Sequence, residues 1–394
     1  MKQKKVSPLQ IILVKLMYYC LMKQLLTVLS ARASYSRVRS VLLSLKDRSD
    51  ISLHVILIAS AASAKYGKLE NFLLADGIKV NWKVESQSDA ALESSMVRTT
   101  SYSMIGISDY ILNNGIDGVL VIADRHETIA GSIAGSYLNR ITFHLLGGEI
   151  SGNIDNKVRY ANSFLSDYHF VATPKSKERL EKCGIPANTI FNTGCPSLDY
   201  IPEVAIPQQK FNSLGGVGLE TEALFRNKYI VVLQHSETTS SFSPRTQIRI
   251  TIDAIEKLKY PTLWIWPNSD QGGDELIREI TQARESGKLK FVHFERSIEP
   301  KLFLSILRSA ECIVGNSSVA IRECSLIGLP AVNIGGRQHN RERGVNVIDT
   351  EFDLEAVYNA TIKQIKHGAY APSNIYGDGK SGERIASLIK DLLD

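Results

Sequence analysis

Residues 312–324, "CIVGNSSVAIREC", contain the turn that decides the fold, because an apolar run gives way there to small polar residues and then to a helical pattern. Residues 315–318 form the turn, and Glu323 would lie one to two turns inside the helix. The first backbone amides of a helix have no internal partners, so such a turn can bind a negatively charged ligand. Asn and Ser are also the ordinary N-cap residues, so the stretch alone fits both a ligand site and a simple cap.

Similar strand-like runs lie on both sides of this turn and alternate with helical patterns. Near-continuous apolar strands joined by helices are typical of a parallel sheet that is covered on both faces. Helices are predicted over 36–48, 129–139 and 382–394. Strands are predicted in two series: 24–30, 52–60, 118–123, 141–148 and 168–173 in the first, and 228–235, 262–268, 290–294, 312–318 and 330–336 in the second.

A segment rich in proline and glycine, residues 202–218, separates the two series and is the best candidate for a linker and hinge. We therefore predict an α/β fold of two Rossmann-like domains that face a cleft. Ligands of open α/β sheets bind beyond the carboxyl ends of the strands, where the polar clusters of this chain fall. The predicted parts are 1–21 outside the fold, 22–205 as the first domain, 206–375 as the second domain, and 376–394 as a helix that packs back on the first domain.

Charge and composition exclude several classes of protein. The 394 residues include 46 Lys and Arg against 41 Asp and Glu. Four of the lysines lie within residues 1–21, and without them 42 basic residues (46 − 4) face 41 acidic ones, a net charge of +1. A nearly neutral body gives no indication of nucleic-acid binding. No cluster has the spacing of metal ligands, and we expect neither a metal nor another cofactor.

The five cysteines indicate the compartment. Their number is odd and no pair has CxxC spacing, which fits free thiols in a reducing compartment such as the cytoplasm. The N-terminal stretch 1–30 contains apolar runs but is interrupted by Lys15 and Lys23, so no run of about 18 apolar residues is present. We expect residues 1–21 to be an extension outside the fold, with a basic peripheral membrane helix as the alternative.

Acidic residues after two of the predicted strands can carry proton transfer. In "ADRHE", Asp124 can act as a general base while Arg125 holds a phosphate, or the pair can be a capping Asp beside a solvated Arg. In "GGEISGNIDNKVRY", Glu149 and Asp155 accompany Arg159, which lies one helical turn beyond Asp155. Paired carboxylates suit proton transfer on opposite faces of a sugar, although a surface loop with a helical salt bridge would have the same pattern.

Other strand ends carry groups that suit an anion. Arg32 follows the first strand, and Ser36 is expected at the start of the next helix, where an anion site is as plausible as an exposed arginine. His235 lies at a strand end, where a lone histidine is more often structural than catalytic.

The later loops are strongly polar. Asn268 and Asp274, in "WIWPNSDQGGDE", can bind hydroxyl groups or orient a loop. Of Arg337, Arg341 and Arg343 in "GGRQHNRERG", one is expected to approach a phosphate and the others to be solvated.

Taken together and in order, these segments resemble the hydrolysing UDP-N-acetylglucosamine 2-epimerases of sialic and legionaminic acid synthesis. The similarity runs from about residue 22 to 350. It implies a two-domain glycosyltransferase-B-like fold, a cytoplasmic homo-oligomer (dimer or tetramer) and a nucleotide-sugar substrate. The motifs that carry it are "SARASYSR", "ADRHE", "HLLGGEISGNIDNKVR", "GCPSLD", "LQHSETT", "WPNSDQGGDE", "GNSSVAIREC" and "GGRQHNRERGVNVID".

The resemblance also implies roles by position, with the first domain acting on the sugar and the second binding the nucleotide. The residues that match active-site positions near the sugar are Asp124, Asp155, Arg159 and Asp199, with Glu149 closing the same loop and His235 as a further catalytic candidate. The residues that match contacts of the diphosphate, ribose and base are Arg32, Ser36, Arg125, His235, Asn268, Phe303, Ser317, Ser318 and Glu323, to which the polar clusters add Asp274 and Arg337.

The chain departs from the family pattern at three positions. Ala61 and Leu146 stand where the family often has polar residues, and Ala123 replaces a glycine before the Asp-Arg pair. Loss of two polar groups from the sugar side fits a less polar sugar, such as a 6-deoxy diacetamido sugar.

The reaction implied by the resemblance converts UDP-N-acetylglucosamine and water into N-acetylmannosamine and UDP. Anti elimination of the nucleoside diphosphate is followed by hydration with inversion at C2. The alternatives are a UDP-N,N'-diacetylbacillosamine 2-epimerase, a glycosyltransferase of the same architecture, and a nucleotide-sugar sensor without turnover.

Overall fold

A computed structural model of the chain describes residues 22–63, 69–88, 94–123, 125–150, 154–201, 211, 214–267, 272–296 and 298–394. The predicted extension 1–21 and most of the predicted linker 202–218 lie outside these residues. The chain divides into two compact units. The first comprises Met1–Gly148, Lys157–Pro196 and Lys380–Asp394, and the second comprises Glu149–Asn156 and Ser197–Gly379.

The sheet of the first unit is entirely parallel, and its strand order is β3-β2-β1-β4-β5-β6-β7. Its inner strands are short apolar runs, and every residue of β4 is buried. Burial on both faces explains why these strands lack an alternating pattern. The strands are β1 (Lys23–Leu29), β2 (Ile51–Leu57), β3 (Trp82–Lys83), β4 (Gly118–Ile122), β5 (Ile141–Leu145), β6 (Tyr168–Val171) and β7 (Ile190–Asn192).

Helices cover this sheet. Of the segment predicted as one helix over 36–48, residues 39–46 are helical, and Ser36 belongs to the preceding helix because the chain turns at Arg37 and Val38. The prediction that Ser36 begins a helix is therefore wrong: Ser36 is the last residue of α1. The first eight helices are α1 (Arg32–Ser36), α2 (Arg39–Lys46), α3 (Ala59–Ala62), α4 (Leu69–Ala75), α5 (Ser95–Asn114), α6 (Ile129–Tyr137), α7 (Ile154–Phe164) and α8 (Pro174–Lys182).

The sheet of the second unit has the order β14-β13-β12-β9-β10-β11-β8, in which β8 alone of the described strands runs antiparallel. Its strands are β8 (Val217–Gly218), β9 (Ile230–Leu233), β10 (Thr262–Ile265), β11 (Val292–Glu295), β12 (Cys312–Gly315), β13 (Ala331–Ile334) and β14 (Val347–Thr350). Its helices are α9 (Thr221–Phe225), α10 (Pro244–Leu258), α11 (Gly273–Glu285), α12 (Pro300–Ser309), α13 (Glu323–Ile327) and α14 (Leu354–His367).

The C-terminal helix α15 (Ser381–Leu393) belongs to the first unit and packs on α2. Gly382 makes the close approach: a Cβ added there would lie 2.7 Å from the carbonyl carbon of Ser40. The amphipathic sequence of α15 thus buries its apolar side within the first unit.

All ten predicted strands are present, with ends that differ from the predicted ones by up to three residues. The strands that the sequence did not indicate are β3, β7, β8 and β14, which are the edges of the two sheets. Within the described part of the chain, no helix combines the length and the apolar character needed to cross a membrane.

Strand order reverses once in each sheet. In the first sheet β2 and β3 follow on one side of β1, and β5 to β7 follow on the other side of β4, so the order reverses between β1 and β4. In the second sheet the order reverses between β9 and β12 in the same way. Loops that leave neighbouring strands in opposite directions open a crevice at the carboxyl edge of a sheet, which is where open α/β sheets bind ligands. The fold therefore marks the loops after β1 and β4, and those after β9 and β12, as candidate sites.

Candidate functional site

Asn316 fastens together the two loops at the reversal point of the second sheet. Its Oδ1 accepts from the backbone N–H of His235 at 2.8 Å, and its Nδ2 donates to the carbonyl of His235 at 2.9 Å. The Asn316 side chain is fully buried. The side-chain amide of Gln338 donates to the backbone carbonyl of Asn316 at 2.8 Å. Because every one of these groups has its partner, the backbone after β9 and after β12 is held in one arrangement.

Glu237 connects the third loop, which follows β13. Its carboxylate accepts from the backbone N–H groups of Gly336 at 2.9 Å and of Arg337 at 3.1 Å. The side-chain amide of Gln247 in turn pairs with the backbone of Glu237, at 3.0 Å to its N–H and 2.9 Å to its carbonyl. Three strand ends thus share one hydrogen-bonded cluster.

After the predicted turn at residues 315–318, the α-helix begins later than expected. Ser317 caps a single 3₁₀ turn, Ser318–Ala320, and its hydroxyl accepts from the N–H of Val319 at 3.5 Å. The α-helix begins only at Glu323, so the prediction that Glu323 lies one to two turns inside it is wrong. Its carboxylate accepts from the hydroxyl of Ser197 at 2.8 Å.

Other predicted nucleotide residues lie around the second sheet. His235 is half-buried at the end of β9, and Arg337 donates through Nη1 to the carbonyl of Asn316 at 3.3 Å. Asp274 is exposed in the first turn of α11, and Phe303 is half-buried in α12. Asn268 lies outside the described residues.

Glu149 belongs to the second unit and is buried there, with 3% of its surface exposed. Its carboxylate forms an ion pair with Arg322, and the guanidinium of Arg341 lies 3.6 Å from the same oxygen. The prediction that Arg341 is solvated is wrong, because its side chain is 7% exposed. Two arginines beside a buried carboxylate stabilise its ionised form, which is the opposite of what a proton donor needs.

Tyr376 lies in the same cluster, where the Arg322 guanidinium is 5.9 Å from its ring centre. Burial and the neighbouring Glu149 carboxylate raise the pKa of Tyr376 well above its ordinary value, so it stays protonated. Its hydroxyl donates to the carbonyl of Glu342 at 2.8 Å. Arg343, the third arginine of this loop, pairs instead with Asp349 at 2.6 Å.

Gly315 allows β12 to end against β9. Its φ is +140°, and a Cβ placed on it would lie 2.0 Å from the carbonyl oxygen of Leu233. We expect Gly315→Ala to lower the free energy of unfolding by about 3 kcal/mol or more, from the steric clash and the backbone strain together. Urea denaturation of the whole chain measures this.

Gly184 offers the matched control, since its φ is +89° but nothing lies within 4 Å of an added Cβ. Gly184→Ala is expected to cost only about 1–2 kcal/mol, from backbone strain alone. Equal losses in the two variants would show that the contact with Leu233 is unimportant.

The first unit has its own polar cluster in the loop after β4. Glu127 has none of its surface exposed, and it contacts two neighbouring basic side chains. Its Oε1 lies 2.7 Å from Nε of Arg125, and its Oε2 lies 2.9 Å from Nδ1 of His126. Burial raises the pKa of Glu127, but His126 and Arg125 outweigh it and hold the pKa at about 2. The ionised carboxylate therefore fixes the direction of both side chains.

Both ends of this loop bind to Asn162, a buried residue of α7. His144, a buried residue of β5, supports the same loop through Ala123. The sequence analysis missed both, although a lone histidine inside the apolar run "ITFHLL" is a visible signal.

The remaining predicted residues of the sugar side have mixed environments. Arg32 is exposed and lies 4.5 Å above the ring of Phe72, while Ser36 is exposed at the end of α1. Arg159 is 1% exposed, and α7 places it one turn beyond Asp155 as predicted. Asp199 is half-buried in the second unit. Asp124 and the side chain of Asp155 lie outside the described residues.

Backbone strain collects at the strand ends of the first unit. Ala59, Ala123 and Leu146 follow β2, β4 and β5, with φ of 48°, 60° and 65°. Residues with a Cβ rarely adopt this region, and strained residues of this kind cluster at functional sites. Leu146 is 1% exposed and Ala61 is 6% exposed, so both departures from the family pattern are buried side chains.

Across the described residues, no group of three or more His, Cys, Asp or Glu side chains has an arrangement that would hold a metal ion. Four cysteines there are free thiols, Cys183 on the surface and Cys195, Cys312 and Cys324 inside. Burial raises the pKa of the Cys312 and Cys324 thiols, which makes them unreactive.

We expect Glu127→Gln to lower the free energy of unfolding at neutral pH by about 1–3 kcal/mol, because the buried carboxylate that pairs with Arg125 and contacts His126 is lost. The pKa of Glu127 is depressed from 4.5 to about 2, so its contribution is full above pH 4.5 and is lost as the pH falls toward 2. The gap in melting temperature between wild type and variant should therefore narrow below about pH 4.5.

Glu178→Gln is the control for this experiment, because Glu178 is 57% exposed and pairs with Lys182 on the surface of α8. An exposed pair of this kind contributes little, so its removal should leave the melting temperature unchanged. A gap for Glu127→Gln that stays constant with pH would contradict the assignment of its charge.

Comparison with known families and proteins gives one consistent result. The model of a family described as UDP-N-acetylglucosamine 2-epimerase matches residues 43–390. The UDP-N,N'-diacetylbacillosamine 2-epimerase (hydrolyzing) of Legionella pneumophila is 32% identical over 373 residues, which cover 94% of this chain and 97% of that protein. The UDP-N-acetylglucosamine 2-epimerase of Neisseria meningitidis is 26% identical over 374 residues, which cover 94% and 96%.

Solved structures confirm the fold class predicted from the sequence. The UDP-GlcNAc 2-epimerase of Methanocaldococcus jannaschii, solved with UDP-GlcNAc and UDP, matches with a TM-score of 0.76 at 19% identity and covers 93% of this chain and 99% of its own. The enzyme of Neisseria meningitidis bound to UDP-GlcNAc has a TM-score of 0.76 at 17% identity and covers 93% and 100%. The fold is α/β, with two Rossmann-like units of the glycosyltransferase-B-like class.

Proposed function

Because the chain belongs to the UDP-N-acetylglucosamine 2-epimerase family, we propose that it is a hydrolysing nucleotide-sugar 2-epimerase. It would release UDP from a UDP-linked 2-acetamido sugar and invert the configuration at C2. The observation that carries the proposal is the rigid cluster built by Asn316 and Glu237 at the reversal point of the second sheet, where α/β folds bind nucleotides.

We assign the nucleotide to the loops after β9, β12 and β13. Ser317, Ser318, His235 and Arg337 lie on these loops and are the candidates for the diphosphate, and Glu323 is the candidate for the ribose hydroxyls. The side chain of Asn316 and the carboxylate of Glu237 fix the backbone around them before any ligand arrives. Donors held in place in this way need no reorganisation when charge develops on the leaving group.

The first chemical step is an anti elimination. Asp124 takes the proton from C2 as the C1–O bond breaks, so that a C1–C2 double bond forms and UDP leaves with the bonding pair. The C2 proton is not acidic, so cleavage at C1 leads and most of the charge develops on the diphosphate. Arg125, oriented by the buried Glu127, is the candidate in the first unit for stabilising that charge.

The second step is hydration of the glycal. Water adds its oxygen to C1 and releases one of its protons to the solvent, and an acid returns a proton to C2 from the face opposite to the first transfer, which inverts that centre. Glu149 and Asp155 are the two candidates for this acid. We assign Asp155, because Arg322 and Arg341 lie beside the Glu149 carboxylate and favour its ionised form. Arg159 follows Asp155 by four residues on α7, which is one helical turn.

We propose UDP-N,N'-diacetylbacillosamine as the substrate. The relative from Legionella pneumophila that acts on it is 32% identical to this chain, and a 6-deoxy sugar suits the apolar Ala61 and Leu146. UDP-N-acetylglucosamine is the second candidate, supported by the relative from Neisseria meningitidis. We also place the reaction in the cytoplasm, which the four free thiols among the described cysteines support.

Incubation with a panel of nucleotide sugars and no acceptor tests the function. We expect UDP and the free 2-epimeric sugar as products, with deuterium from D₂O at C2, and faster turnover of UDP-N,N'-diacetylbacillosamine than of UDP-N-acetylglucosamine. Release of sugar only when an acceptor is present would indicate a glycosyltransferase, and tight UDP binding without turnover would indicate a sensor.

Asp124→Asn tests the assigned base. Because an amide cannot accept the C2 proton but has almost the same shape, turnover should be abolished while the dissociation constant of UDP changes little. Stopped assays of UDP release and calorimetric titration with UDP give the two quantities. Retained turnover would refute the assignment. Asp167→Asn is the control, because Asp167 is a carboxylate of the same unit that accepts from the backbone N–H of Thr142 at 2.8 Å.

A further inference from the structure

We propose that Asn162 is a positioning residue, which orients Arg125 by holding both ends of its loop, and in the sequence the same loop carries the proposed base, Asp124. The inference rests on the proposed function, because it concerns the loop that carries that reaction's base. Asn162 is fully buried, and its Nδ2 donates to the carbonyl of Ala123 at 3.3 Å and to the hydroxyl oxygen of Thr128 at 2.9 Å. One side-chain amide thus closes residues 123–128.

The first end of the loop is strained and is held by several bonds. Ala123 has a φ of 60°, which is unfavourable for a residue with a Cβ. Its N–H donates to the carbonyl of Leu145 at 2.8 Å, and its carbonyl accepts from Nε2 of His144 at 2.9 Å besides the bond from Asn162. Strain of this kind persists only where the surroundings impose it, and here it occurs at the residue with which the loop begins.

His144 can act only as a neutral donor here. A carbonyl oxygen accepts but cannot donate, so Nε2 carries the hydrogen, and Nδ1 accepts from the hydroxyl of Ser163 at 2.9 Å. Burial lowers the pKa of His144 to about 4, so it remains neutral at physiological pH. The support given to Ala123 is therefore constant across the working pH range.

The second end of the loop is a turn that includes Arg125. The hydroxyl of Thr128 donates to the carbonyl of Arg125 at 2.6 Å, and the N–H of Thr128 donates to the same oxygen at 2.9 Å. Because the Thr128 hydroxyl donates its hydrogen to the carbonyl of Arg125, its oxygen is the acceptor of the hydrogen bond from Nδ2 of Asn162. The Oδ1 of Asn162 accepts from the hydroxyl of Ser132 at 2.9 Å, while the two hydrogen bonds that Nδ2 donates to the loop set the orientation of the amide.

Asn162→Ala tests the proposal in the full-length enzyme. We expect kcat to fall by about 10- to 100-fold, because a small displacement of a reacting group has this effect, while KM and the UDP dissociation constant change by no more than about twofold. Hydrogen exchange should become faster at the amides of residues 125–128.

Ser132→Ala is the matched control. It removes a hydrogen bond to the same buried amide but no donor to the loop, so kcat should stay within about twofold of the wild-type value. Equal losses of kcat in the two variants, in proportion to their melting temperatures, would overturn the positioning role and leave a structural one.

Thr128→Val keeps the proposal testable if Asn162→Ala does not fold, because it removes one of the two loop contacts with little change of shape. A lowered kcat at unchanged KM supports the inference, and an unchanged kcat with unchanged exchange overturns it. An enzyme whose wild type turns over no nucleotide sugar refutes the proposed function instead, while hydrogen exchange still shows whether Asn162 holds the loop.

Discussion

The reversal of strand order within each parallel sheet is the constraint on which the rest of this structure depends. β1 lies between β2 and β4, and β12 lies between β13 and β9, so the chain leaves neighbouring strands in opposite directions. Right-handed crossovers then place successive helices on opposite faces of the sheet. Open α/β sheets bind ligands at such points, and the hydrogen-bonded clusters around Asn316 and Asn162 lie on these loops.

Where the strand order reverses, the backbone of both units is irregular and is not held by the hydrogen bonds of a strand or helix. In the second unit, Asn316 and Glu237 bind the backbone of neighbouring loops with their side chains. In the first unit, Asn162 and His144 do so. Buried side-chain amides suit this task because they donate and accept at once and carry no charge that would need a counter-ion. Of the carboxylates, Glu127 and Glu149 pair with arginines, whereas Glu237 accepts from backbone N–H groups.

The apolar runs were sufficient to predict the inner strands of both sheets, because a strand buried on both faces must be apolar along its whole length. The edge strands β3, β7, β8 and β14 were not predicted. They have two to four residues each, and each is defined by its pairing with a single neighbouring strand. The same limit applies to helix boundaries: whether Ser36 ends a helix, or Glu323 begins one, depends on local turns that periodicity does not describe.

The amino-acid sequence by itself determined the two α/β units, the polar clusters at their strand ends and the family, because these follow from local apolar patterns and from motifs in a fixed order. Only the tertiary structure decided which polar groups meet. Glu149 and Arg322 are 173 residues apart and yet form one ion pair, and Asn162 binds a loop that begins 39 residues before it. A buried charge or amide takes its role from its partners, and those partners are assembled only by folding.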